Sequence, residues 1–172
     1  MEPIWQADPR YRPYIVAALV LVALFHVLVP LRHHFYPGDV AWSEEGHRYS
    51  WRMMLRSKSG NGKFYVETPE MRGDTVVWKR NTVYPRKELT KKQNRKLYTH
   101  PDMILQYAHH LRDRALAAGH DTVRVYADVR VRLNFRDYHP YVDPERDLAA
   151  EEWQLFGAND WILREHQLPD DN

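Results

Sequence analysis

The feature that most constrains this chain is the uncharged run from Tyr14 to Leu31, YIVAALVLVALFHVLVPL. As an α-helix its 18 residues would extend about 27 Å, close to the roughly 30 Å hydrocarbon core of a bilayer. Such a helix is apolar on every face, so it needs either lipid or a protein coat all round. The rest of the sequence is too polar to supply that coat easily, which favours a membrane span over a buried core helix. Near the end of the run, His26 is its one ionisable group. It reads either as a neutral histidine packed against other helices or as an intramembrane proton-handling group.

With the run set aside, residues 1–13 form a proline-rich lead-in and residues 32–172 form one domain of ordinary size. A mean hydropathy of −0.69 places most of the mass in water. One span, 14–31, with one extramembrane domain fits both facts. The 25 basic and 23 acidic residues nearly balance, which gives no charge argument for nucleic acid. There is no cysteine, so disulfides, thiolate metal sites and thiol nucleophiles are excluded. The run ends in Val-Leu-Val-Pro-Leu-Arg without a small-x-small cleavage site, unlike a signal peptide. Arg10 and Arg12 before it, against Arg32 just after it, favour an external or lumenal domain by the positive-inside rule.

Beyond the run, Tyr36 and Trp42 are candidates to anchor the membrane interface, and residues 42–55 read as a junction rich in aromatics and methionine. Ser59-Gly-Asn-Gly62 predicts a turn. Lys63 to Thr68 and Thr75 to Tyr84 predict strands joined at Arg72-Gly-Asp74, a small antiparallel meander. Thr90 with Gln93 predicts a capping box and a helix over 91–98. A second helix follows, capped by Thr99, with an apolar stripe of Met103, Ile104, Tyr107, Ala108, Leu111 and Ala115 and an end at Gly119. Val123 to Phe135 alternates throughout and predicts a long strand. Val123, Val125, Ala127, Val129, Val131, Leu133 and Phe135 form its buried face, and Arg124, Tyr126, Asp128, Arg130, Arg132 and Asn134 its polar one. The fold class expected is α+β: one N-terminal transmembrane helix, then a mainly antiparallel sheet with one or two amphipathic helices.

Candidate chemistry is thin. Of the ten histidines, His33-His34 and His109-His110 are adjacent pairs, and helical neighbours point about 100° apart, too far to grip one ion together. Glu44, Glu45 and His47 offer a general base beside the membrane, although polar residues at a junction are ordinarily solvated. Lys91, Lys92, Arg95 and Lys96 lie in a basic stretch that is either a solvated helix face or a contact for anionic lipid or acidic peptide. The polar face of the 123–135 strand is a sheet surface or a groove floor. No glycine-rich phosphate loop or Gly-x-Ser-x-Gly occurs.

Five segments, in order, carry a family resemblance: Phe25-His-Val-Leu-Val-Pro-Leu-Arg-His-His-Phe35, Tyr49-Ser-Trp-Arg-Met-Met54, Asp102-Met-Ile-Leu-Gln-Tyr-Ala108, Val125-Tyr-Ala-Asp-Val-Arg-Val131 and Asp143-Pro-Glu-Arg-Asp147. Together they resemble the C-terminal half of the vitamin K-dependent gamma-glutamyl carboxylases and their bacterial relatives, the HTTM membrane proteins. The resemblance implies that residues after about 32 form the lumenal-type domain of that family, lying on a membrane bundle. It implies, for a complete family protein, a lyase reaction in which oxygenation of reduced vitamin K drives deprotonation of a protein glutamate and its carboxylation by carbon dioxide. This sequence departs from the pattern, since it has one span with no lysine in it. No catalytic, cofactor-binding or metal residue is therefore carried over. The motif residues Tyr49, Trp51, Met53, Met54, Asp102, Gln106, Tyr107, Tyr126, Asp128, Asp143 and Pro144 are without assigned roles, with Trp51, Met53 and Met54 expected to pack the domain on the helix. The expectation is a split or C-terminal part of such a protein, its partners being the membrane, further membrane helices and a glutamate-containing peptide. The alternative is a stand-alone single-span module binding acidic peptide or anionic lipid. No contact with nucleic acid is expected.

Overall fold

A computed structural model describes residues 8–50, 56–155 and 157–164. The apolar run forms helix α1, Arg12–Leu31, which starts two residues before the run because Pro13 is well suited to a first helical turn. Apart from Pro30, every residue of α1 is at least partly exposed. Together with the 3-10 turn that follows, Arg32–Phe35, it makes one helix long and apolar enough to cross a membrane. His26 lies on its exposed surface, with Nδ1 2.7 Å from the carbonyl oxygen of Val22 one turn back.

A single helical turn, α2 (Val40–Ser43), is capped by Asp39, whose carboxylate accepts the Ala41 N–H at 2.8 Å. The turn aims Trp42 into the core at 4 % exposure, where its indole N–H donates to the Leu163 carbonyl. The expectation of Trp42 as an interface anchor is thereby corrected: α2 folds the junction back onto the domain. Tyr36 is half-buried and donates its hydroxyl to the Leu155 carbonyl at 2.6 Å.

Strands β1 (Lys58–Arg72), β2 (Thr75–Val83), β3 (Arg124–Leu133) and the short β4 (His139–Pro140) form one antiparallel sheet in the order β2-β1-β3-β4. Ser59-Gly-Asn-Gly62, expected as a turn, lies inside β1 opposite Arg132 to Val129. Its glycines answer to close approach. A Cβ on Gly62 would stand 2.5 Å from the Asp128 carbonyl oxygen, and one on Gly60 2.8 Å from Tyr98 Cβ. The predicted Arg72-Gly-Asp74 turn does join β1 and β2, with Gly73 at φ +67°.

Helices α3 (Lys91–Thr99) and α4 (Pro101–Ala117) cover one face of the sheet. The capping box predicted at Thr90 and Gln93 is present. The N-cap of α4 is His100 rather than Thr99, whose hydroxyl instead donates to the Arg95 carbonyl of α3. From α4 come Ile104, Leu105, Tyr107, Ala108 and Leu111; these meet Phe64 and Val66 of β1 and the inward residues of β3 in one core. The predicted alternation of β3 holds from Val123 to Leu133 and then stops: Asn134 and Phe135 have φ of +50° and +66°, and Phe135 is 81 % exposed. Reciprocal bonds between Asn134 and Ser57 turn the chain out of the sheet at that point. The tail returns to the core through Tyr141, Val142, Leu148, Trp161 and Ile162. The architecture is α+β, two layers with an apolar helix at the N-terminus.

Candidate functional site

The most charged buried region of the fold lies where the junction after α1 meets the start of β1 and the C-terminal tail. Glu44 ends α2 in the left-handed conformation, φ +64°, which turns the chain sharply and sends Glu44 and Glu45 into separate ionic clusters. Glu45 is 1 % exposed. Its Oε2 pairs with Arg164, while its Oε1 accepts the backbone N–H of Asn159 at 2.7 Å and the side-chain amide at 2.9 Å. Glu44 pairs with Arg56 at 2.5 Å and with Lys58 at 3.4 Å.

The Lys58 side chain is also buried, at 4 % exposure. Its ammonium donates to the Tyr141 hydroxyl at 2.8 Å and to the Trp42 carbonyl, and lies 4.3 Å from the Tyr141 ring centroid and 5.6 Å from that of Trp42. Burial pushes its pKa down to about 7, against the opposing pull of Glu44. The same burial raises the Tyr141 hydroxyl well above its ordinary value. Both carboxylates are thus held in a low-dielectric setting by cations and amides, and the expectation that Glu44 and Glu45 are solvated is corrected. Every oxygen of Glu44 and Glu45 already accepts a hydrogen bond, which leaves neither shaped as a base for an incoming substrate.

Beside this network a cleft of about 440 Å³ opens between Arg32 and Tyr36 after α1, the 44–48 turn, Arg56, the C-terminal end of α3, the N-terminal end of α4 and residues 153–155. Gly46, at φ +67°, lets the turn pack against the Tyr36 ring, where a Cβ would approach to 2.8 Å. Arg48 pairs with Asp102 across the cleft. By contrast, the Arg32 Nε and Arg56 Nη1 groups are buried without a hydrogen-bond partner among the described residues. An unpaired buried donor costs about 1–3 kcal/mol, so these two nitrogens mark the cleft as electrostatically incomplete.

The motif residues named from the sequence do not converge. Trp51, Met53 and Met54 lie outside the described residues. Tyr49 is exposed at φ +65°, Asp102 lines the cleft, and Gln106 is exposed on α4. Tyr107 packs its ring edge-on against Phe64 at 4.9 Å and donates to Glu88 at 3.1 Å. Tyr126 and Asp128 are on the uncovered face of the sheet, where Arg80 lies 5.6 Å from the Tyr126 ring and Lys63 sits 3.8 Å from Asp128. Asp143 accepts the Glu145 N–H, forming the turn that holds the exposed Pro144. Lys91, Lys92, Arg95 and Lys96 are all exposed on α3, and Lys96 reaches the cleft rim. Sequence reasoning missed Lys58, Tyr141, Asn159 and Arg164 because their partners stand up to 119 residues away, beyond any local spacing. Among the described residues no group of three or more His, Asp or Glu is placed to hold a metal.

The cleft does not suit the quinone that the family resemblance implies. Its walls carry Arg32, Glu45, Arg48, Arg56 and Asp102, and an apolar ring and tail would strip water from them without replacing its hydrogen bonds. The chemistry of the quinone is therefore not assigned to it. A family model described as vitamin K-dependent gamma-carboxylase, lumenal domain, matches residues 11–167. No solved structure matches the chain.

Proposed function

Since this chain belongs to the vitamin K-dependent gamma-carboxylase lumenal-domain family, we propose that it is the membrane-anchored extramembrane part of a gamma-carboxylase-like protein, with the active site in other membrane helices. In this reading α1 is the last span of an HTTM-type bundle, present here as a split or C-terminal part, and the domain lies on the external or lumenal side. The observation that carries it is the pairing of an exposed apolar helix with a following turn bonded to the C-terminal tail. α1 has 6 % of its apolar window buried, yet the chain directly after it is tied to the tail through Trp42 to Leu163 and Glu45 to Arg164.

Removing a proton from the carbon chain of glutamate calls for a strong base in a water-poor site. In the interior of α1 the one candidate is His26, whose Nδ1 bonds to its own backbone. Reduced vitamin K, oxygen and carbon dioxide are accordingly assigned to the completing helices, and the glutamate-containing peptide to the domain. The test is a carboxylation assay with reduced vitamin K, labelled bicarbonate and a glutamate peptide. The chain alone in detergent is expected to incorporate no label; incorporation would place an active site within it and overturn the reading. Membrane anchoring is checked separately, because α1 is expected to resist alkaline carbonate extraction.

A second reading, a stand-alone module gripping anionic lipid or acidic peptide, is favoured by one observation: Lys91, Lys92, Arg95 and Lys96 are all exposed on one short helix.

A further inference from the structure

The juxtamembrane cleft holds more hydrogen-bond donors than its own acceptors use. Its three carboxylates are all engaged, Glu44 by Arg56, Glu45 by Arg164 and Asp102 by Arg48. Against them stand the unpartnered Arg32 Nε and Arg56 Nη1, and Lys96 at the rim, which forms no ion pair among the described residues. These cations come from three separate elements: the turn after α1, the lead into β1, and α3. We propose that the cleft is a binding site for a phosphoryl group, held by Arg32, Arg56 and Lys96.

Three arguments select this chemistry. Donors carried by three separate elements around one cleft suit the tetrahedral oxygens of a phosphoryl group better than the two coplanar oxygens of a carboxylate, and guanidinium groups bind phosphate well. Arg32 directly follows the last apolar residue of α1, the depth at which lipid phosphates lie if α1 spans a bilayer. The cleft volume, about 440 Å³, exceeds what one inorganic ion fills and falls in the range of sites for small organic ligands, so a phosphodiester headgroup fits as well as free phosphate. The lipid source rests on the membrane-anchor reading; the oxyanion site itself does not.

The experiment uses the full chain in neutral detergent. Retention of phosphatidylglycerol against phosphatidylcholine is followed by native mass spectrometry, and inorganic phosphate is titrated calorimetrically. Arg32→Gln is the main variant, since among the described residues Arg32 has no acidic partner whose charge would be stranded; its Nη2 donates to the Arg48 carbonyl. Lys96→Gln, at an exposed position, is the second, so that misfolding of the first cannot hide the answer. A charged hydrogen bond lost should weaken binding about tenfold, with a single cooperative unfolding transition showing that each variant remains folded. Selective phosphatidylglycerol retention that both variants reduce supports a lipid phosphate; phosphate binding without lipid retention supports a free oxyanion. No binding of either, binding indifferent to both variants, or preferential displacement by a glutamate-rich peptide overturns the proposal. If the chain leaves the membrane on carbonate washing yet still binds phosphate, the anchor reading fails and the site stands.

Discussion

Glu45 and Arg164 form a buried ion pair between the junction after α1 and the C-terminal tail, with Glu45 side-chain exposure at 0 % and Arg164 at 8 %. Because Asn159 fills the other carboxylate oxygen through two N–H groups, the pair is satisfied on both sides. Removing one partner strands a charge in a region closed to water. Glu45→Gln is expected to destabilise the full chain by about 3–5 kcal/mol in denaturant titration. Combining it with Arg164→Met should recover part of that loss, and a purely additive double variant would show that the two residues do not act as a pair.

Lys58 gives the domain a stability that rises with pH, the same sign as in acid unfolding but in the neutral-to-alkaline range. Its pKa is about 7 in the fold against 10.5 in the unfolded chain. Below pH 7 the lysine is protonated in both states and contributes no slope. Between about 7 and 10.5 the unfolded chain holds a proton that the folded chain has released, so this group makes stability rise with pH, by up to about 1.4 kcal/mol per unit. Lys58→Met should remove that slope between pH 7.5 and 9.5, measured by denaturant midpoints at each pH.

Gly62 and Gly73 are both in or beside β1 but constrain it differently. At Gly62 a Cβ meets backbone, the Asp128 carbonyl and Val129 Cα. Gly62→Ala should cost about 1–3 kcal/mol and raise amide exchange on β3 around Val129. Gly73 has open space and only its positive φ to defend, so Gly73→Ala should cost about 1 kcal/mol with any exchange change confined to the hairpin tip.

The Thr90 and Gln93 capping box holds the start of α3, which carries Lys96 at the cleft. Thr90→Ala is expected to cost about 1 kcal/mol and to increase exchange at the first turn of α3.

Exposure of Lys91, Lys92, Arg95 and Lys96 makes the alternative reading testable by co-sedimentation with anionic vesicles. Changing all four to Ala should reduce binding, each residue near the surface counting for about 1 kcal/mol; unchanged binding would remove the module reading.

Local pattern determined the elements of this protein. The length and apolarity of Tyr14 to Leu31 specified α1, the alternation from Val123 to Leu133 specified β3, and Thr90 with Gln93 specified the start of α3, because each depends on neighbours within a turn or a pleat. The ordered segments from Phe25 to Asp147 likewise carried the family. Tertiary structure decided what no local period encodes. Gly60 and Gly62 are strand residues because Tyr98 and β3 pass close to them. Trp42 is core because α2 folds back, and Phe135 is exposed because Asn134 bonds to Ser57 instead of continuing the ladder. The charged site belongs to this second group. Glu44 and Glu45 are conspicuous in sequence, but their surroundings depend on Lys58, Tyr141, Asn159 and Arg164, and burial of a charge is a property of the whole fold that packs around it.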